Sequence, residues 1–356
     1  MSSLDTAEVY NKFDPSNMIG RIGELPQQCK KAWQLALDIP LPSDYCNVDK
    51  VIILGMGGSA IGGDLVQTMT LEKSSISVLV NRDYHLPQSV DEKTLVIASS
   101  YSGNTEETLS AFSQALLTPA KKLAITTGGR LQALCAEKGI PLYTFHYDAE
   151  PRAALGYSFF SLLAIFRKLG FIALEEHEVN ETITVLEKLS NEFDKGASLQ
   201  DNQAKQLATR LWGHLVVIYG AGTLSKVAYR WKTQLNECSK VWAFAEYFPE
   251  LNHNAVVGYR FPSWLNHKTF VVMLYSSSLF PRILSRYKAT GELLKDAGVT
   301  YELVEAKGKS PLSQMMSVVI LGDYVSYYLA LLNDVDPSPV TAIDYLKGRL
   351  AEADTY

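Results

Sequence analysis

The sequence predicts an α/β protein made of two doubly wound, parallel-sheet domains, and three observations predict it. Short β-branched runs alternate with helix-period segments along almost the whole chain. A strand runs into a glycine cluster and then a helix at residues 51–70, and the same order returns at 214–236. Between the two alternations lies the polar, glycine-containing stretch 194–203, DKGASLQDNQ, which sets the expected domains at 1–195 and 196–356.

Residues 1–50 read as an irregular arm followed by a helix. Pro26 starts that helix, and Cys29, Ala32, Trp33 and Ala36 give it one apolar face. Strands are then expected at 51–54, 76–80, 94–98, 123–126 and 141–145, with helices at 60–70, 106–117, 131–138, 153–169 and 179–193. The second half should place strands at 214–219, 241–244, 269–275 and 299–304. Its helices should lie at 223–236, 282–297, 315–332 and 343–350. Two halves on one plan suggest a divergent duplication; a single large sheet is the competing arrangement.

Composition narrows the function classes. The chain of 356 residues is 47% hydrophobic and 20% charged, as ordinary globular proteins are. Lys+Arg 33 against Asp+Glu 38 leaves a net charge of -5, with no basic arm or zinc-finger spacing, so no nucleic-acid partner is expected. No apolar run reaches the roughly 20 residues of a membrane helix, because Gly322, Asp323 and Ser326 interrupt the most apolar segment. That segment reads as a buried or amphipathic helix. Four scattered cysteines without a C-x-x-C pair, and an N-terminus that does not read as a signal peptide, predict a reducing cytoplasm.

Two loops carry the chemistry. GMGGSAIGGD follows the first strand, and its glycines allow close backbone approach while a helix N-terminus offers N–H groups to an anion. Gly57, Gly58 and Ser59 are the candidate contacts. SSYSGNTEET follows the strand at 94–98, and Ser100, Ser102 and Thr105 add hydroxyl donors there. In a doubly wound sheet both loops lie at the carboxyl ends of strands, where ligands bind. Together they suit a phosphate monoester. Gly55-x-Gly57-x-x-Ala60 also fits a dinucleotide fingerprint, with Asn81 or Asp83 placed to hold a ribose. Against that reading stand Ser59 itself and the second hydroxyl-rich loop, which has no role in such a site. No Gly-Lys-[Ser/Thr] follows, so a nucleoside-triphosphate loop is excluded.

With these loops, the segments PRAALGY (151–157), Asn236-Glu237, FPELNHN (248–254), DPSPV (336–340) and IDYLK (343–347) stand in one order along the chain. That set resembles the bifunctional phosphoglucose/phosphomannose isomerases, which carry two sugar isomerase (SIS) domains of flavodoxin-like type. The resemblance implies an aldose–ketose isomerase acting on sugar 6-phosphates through an enediol, without metal or other cofactor, as a homodimer. It implies phosphate binding by Ser59, Ser100, Ser102 and Thr105. Glu237 would be the base at C1 and C2, and Arg152 the cation facing enediolate charge. His253, reaching a neighbouring subunit, and Lys347, near a helix end, would open the ring. Cys238 departs from the Asn usual beside the base, and either Ser338 or Thr341 could stand at the position that admits the mannose epimer. A carboxylate base, an oxyanion-facing cation and a separate histidine suit enediol chemistry on general grounds. A non-catalytic sugar-phosphate sensor is the alternative function.

Overall fold

The protein is described by a computed structural model covering residues 4–71 and 74–353. Three helices come first: α1 (Ala7–Phe13), α2 (Met18–Gly23) and α3 (Leu25–Leu37). The expected irregular arm is therefore mostly helical. Its apolar residues Val9, Tyr10, Met18, Ile19 and Ile22 are buried, and packing of that kind stabilises helices too short to persist alone.

The first alternation follows as β1 (Lys50–Leu54), α4 (Gly57–Thr70), β2 (Ser77–Asn81), β3 (Thr94–Ser100), α5 (Glu106–Ala115), β4 (Lys121–Thr126), α6 (Gly129–Lys138) and β5 (Leu142–Thr144). Helices α7 (Leu155–Lys168) and α8 (Glu176–Phe193) close this half. The second half runs α9 (Gln203–Leu211), β6 (Leu215–Gly220), α10 (Ser225–Glu237), β7 (Ala243–Tyr247), α11 (Ser263–Asn266), β8 (Thr269–Tyr275), α12 (Pro281–Asp296) and β9 (Thr300–Glu305). It ends in α13 (Pro311–Leu332) and α14 (Thr341–Ala353). Helix α9 has no counterpart in the sequence reading.

There are two sheets, both wholly parallel, ordered β2-β1-β3-β4-β5 and β7-β6-β8-β9. The first four strands of one match the four of the other in order, and the single-sheet arrangement is ruled out. Strand residues alternate between faces as the pleat requires. Val51, Ile53, Leu95 and Ile97 join one large core, whereas Ile52, Leu54, Val96 and Ala98 pack under α5 and α6. In the second sheet Val216, Ile218, Val272 and Leu274 enter that same large core, and Tyr219, Val271 and Met273 face outward onto a third cluster. The helices between the sheets thus share one interior.

Helix α13 is the spine of this interior. Its 22 residues include a window long and apolar enough to cross a membrane, yet that window is wholly buried in the protein against α8, α9 and α10. Ser310 caps it by accepting from the Ser313 N–H. The polar stretch around Asp194–Asn202 is tied down by Lys205, which is fully buried. Its ammonium donates to the carbonyls of Leu4, Lys195 and Ala197 and to Asp5 Oδ1 at 2.7–3.1 Å. This charge is a knot between residues 4–5 and the α8–α9 loop.

Candidate active site

The site is assembled where β1, β3 and α10 end. Leu54 pairs with Ala98 in register, so the loops after β1 and β3 leave the sheet side by side. Gly57 adopts φ +49°, a left-handed turn that favours glycine. Gly58 has a different task. A Cβ there would lie 2.9 Å from the Pro151 carbonyl oxygen and 3.3 Å from the Arg152 Cα, so its absence lets the 3₁₀ turn Pro151–Ala154 close on the loop. Gly62 does the same for α7, where a Cβ would meet the Ser158 carbonyl at 2.9 Å.

The hydroxyls are set as donors. Ser59 Oγ accepts from the Tyr101 N–H at 3.1 Å, and Ser102 Oγ accepts from the Asn104 N–H at 3.2 Å. Ser100 Oγ lies 3.0 Å from Thr105 Oγ1, which uses one of their two hydroxyl protons. The protons of Ser59 and Ser102 have no acceptor among the described residues. Thr105 precedes α5, and Glu106 and Glu107 occupy its first turn as expected. Asn81 and Asp83, the two ribose candidates, hold their own turn: Asn81 donates to the carbonyls of Asp83 and His85, and Asp83 accepts from the His85 N–H.

Arg152 connects this cradle to the second half. Only 4% exposed, it donates through Nη2 to the carbonyls of Pro337 at 2.7 Å and Ser338 at 2.6 Å. Its Nη1 stands 3.8 Å from Glu237 Oε2, and its Nε is buried without a partner among the described residues. Glu237 closes α10 and keeps 28% of its side chain exposed. It faces a cleft of about 230 Å³ that Lys240, Pro339, Val340 and Thr341 also line. The glycine loop and the Glu237 carboxylate are thus separated by the length of one arginine.

The loop after α10 is held from both sides. Lys240, at φ +57°, turns its ammonium onto the carbonyls of Glu237 (2.5 Å) and Pro339 (2.7 Å), and its partial burial draws its pKa down. This turn also delays β7, which starts at Ala243 rather than at 241. Cys238 is buried beside Arg152, and desolvation pushes its thiol up, although the Arg152 charge opposes this. Of the two candidates near DPSPV, Thr341 lines the cleft with Glu237. Ser338 is buried, and its carbonyl holds Arg152.

Two predicted site residues are not brought to this place. His253 ends the 3₁₀ turn Glu250–His253, exposed to solvent and without a hydrogen bond or ion pair among the described residues. Lys347 is exposed on α14. That helix continues to Ala353, so Lys347 sits in mid-helix rather than near its end. Sequence reasoning missed the two carbonyls that clamp Arg152, since main-chain acceptors leave no trace in residue type. It also missed Lys240, which looks like any lysine in a polar turn. Among the described residues no group of three His, Cys, Asp or Glu side chains is placed to hold a metal.

Comparison with known proteins now adds to this geometry. The bacterial phospho-glucose isomerase C-terminal SIS domain family matches residues 200–350. A bifunctional phosphoglucose/phosphomannose isomerase of Caldicellulosiruptor bescii is 44% identical over 94% of this chain and 99% of its own. One from Thermoplasma acidophilum is 37% identical over 85% of this chain and 89% of its own. A hypothetical protein of Thermus thermophilus superposes with a TM-score of 0.76 at 16% identity, covering 98% of this chain and 93% of the other, a likeness of fold. The chain, with its two SIS-type parallel-sheet halves and its Arg152–Glu237 centre, belongs to the bifunctional phosphoglucose/phosphomannose isomerase family.

Proposed function

We propose that this site interconverts glucose 6-phosphate, and with it mannose 6-phosphate, with fructose 6-phosphate. The observation that carries the reading is the buried Arg152, whose backbone packs on the glycine loop and whose guanidinium stands 3.8 Å from Glu237. In this reading Ser59, Ser100, Ser102 and Thr105 donate to the 6-phosphate, together with the loop N–H groups at Gly57 and Gly58. Glu237 removes the proton from C2 of the open-chain aldose and returns it to C1, while the O2 hydroxyl proton passes to O1, so that the carbonyl moves from C1 to C2. The electron pair left at C2 passes into the enediolate, and the negative charge rests on the substrate oxygen that Arg152 faces.

Thr341 is proposed to meet the hydroxyl in which the two aldoses differ, because it shares the cleft with Glu237. Ring opening is assigned to His253 and Lys347, both acting across a homodimer. Exposed apolar side chains near His253 (Val257, Phe261 and Trp264) and on α14 (Ile343, Leu346 and Leu350) support such an interface.

The test is a coupled assay on glucose 6-phosphate and mannose 6-phosphate with a chelator present. Turnover of both is expected. Binding of fructose 6-phosphate without turnover of either aldose would instead assign a sensor.

A further inference from the structure

Between α10 and α13 lies a buried ion pair that the proposed reaction does not use. Arg230 is 2% exposed and Asp323 5% exposed. Arg230 Nη2 donates to Asp323 Oδ2 at 2.7 Å and also to the main-chain carbonyl of Arg152 at 3.2 Å. Gln234 Nε2 donates to the other carboxylate oxygen, Asp323 Oδ1, at 3.0 Å. Arg230, Gln234 and Glu237 stand at i, i+4 and i+7 on α10, which places all three on one helix face.

Such a pair is a poor source of stability. Removing two ions from water costs more than their attraction usually returns, and apolar residues of like volume often do as well. Burial pushes the Asp323 carboxyl upward, while Arg230 and Gln234 oppose the rise. What the pair does supply is direction. A hydrogen bond to the Arg152 carbonyl fixes the main chain of the residue whose side chain faces Glu237. The same helix face that makes this bond also carries Glu237.

We propose that Arg230 and Asp323 are positioning residues of the isomerase centre, holding the Arg152 main chain against α10 so that the Arg152 guanidinium and the Glu237 carboxylate keep their working separation. The inference rests on the isomerase reading above. The charged and titratable groups around Glu237 are Arg152 from the 3₁₀ turn, Cys238 and Lys240 after α10, Asp336 after α13, and the Arg230–Asp323 pair itself.

Two variants of the full chain test it, with Glu237→Gln run beside them. The double variant Arg230→Met with Asp323→Leu removes both charges and keeps the volume filled. It is expected to stay folded but to melt a few degrees below the wild type, because Gln234 Nε2 loses its acceptor, with kcat reduced roughly tenfold or more and KM for fructose 6-phosphate within about twofold, as loss of an orienting contact predicts. Wild-type kcat in that folded variant overturns the proposal. Asp323→Asn keeps the shape and leaves Arg230 as an uncompensated cation about 10 Å from Glu237 along the helix. The acid limb of kcat/KM is then expected at lower pH by roughly half a unit or more, since added positive potential favours the carboxylate. If the double variant fails to fold, an unmoved limb in Asp323→Asn overturns the proposal. Full activity in Glu237→Gln would remove the isomerase reading. Loss of activity there, with both other variants unchanged, removes only the positioning role.

Discussion

The two halves build the same strand-end cradle and leave it in opposite states. After β1, Gly57 turns at φ +49°; after β6, Gly222 turns at φ +50°. Both turns lead into a helix, and in both sheets the following strand, β3 or β8, ends beside them in a serine-rich loop. The hydroxyls differ in what they serve. In the first half, those of Ser59 and Ser102 retain protons without a protein acceptor among the described residues. In the second, Leu224 stands where Ser59 would be, and Ser276 and Ser278 both donate to Gln314 Oε1, at 2.5 and 2.8 Å. The Gln314 oxygen uses up the donors of this loop. Backbone form alone therefore does not make an anion site; the donors must also be unspent. The second half contributes instead through the far end of its helix, where α10 delivers Glu237.

Four measurements break or sharpen this contrast. The largest effect is expected at the carboxylate: Glu237→Gln should lose at least about 100-fold in kcat with melting temperature and phosphate binding kept, and kcat near wild type would show that the second half supplies no base. Next, Gln314→Ala removes the acceptor of the buried Ser276 hydroxyl and should cost about 2 kcal/mol in urea unfolding. An unchanged midpoint there would mean that Gln314 is not holding the second cradle shut. Ser59→Ala removes one donor to a charged ligand and should raise KM for the sugar phosphate roughly tenfold, whereas Ser278→Ala should leave KM unmoved. Equal effects of the two substitutions would erase the asymmetry. Smallest, Gly57→Ala should cost about 1 kcal/mol, the expense of a left-handed turn with a side chain, and Gly222→Ala somewhat more, because its Cβ would also meet Leu279 Cδ2 at 2.9 Å. Losses that differ only by that contact would show that the two backbones are equivalent whatever they bind.

Much of this was legible in the residues. Strand β8 falls at its expected bounds, and most other elements are displaced by only a few residues, because apolar alternation and glycine turns are local signals. Helix α9 was not legible. It follows directly on the polar stretch 194–203 that reads as a domain boundary, and the carbonyl cage around the buried Lys205 makes its start interior. The glycine loop and the hydroxyl-rich loop announced themselves through residue type. Gly58 was legible as a glycine needed at that position, but its reason, clearance for the Pro151 carbonyl, depends on a segment far along the chain.

The chain alone carried the alternating plan, the two glycine turns, the hydroxyl-rich loop and the ordered motifs that mark the family, since each rests on neighbours in sequence. Tertiary packing set which of those parts meet. It brought Arg152 to Glu237, gave the clamp on Arg152 to the carbonyls of Pro337 and Ser338, put Thr341 rather than Ser338 in the cleft, and left His253 and Lys347 on the surface of a single chain. The physical reason is that hydrogen bonds to main-chain carbonyls and the burial of charge depend on what surrounds a residue in space, and no periodicity along the chain encodes that.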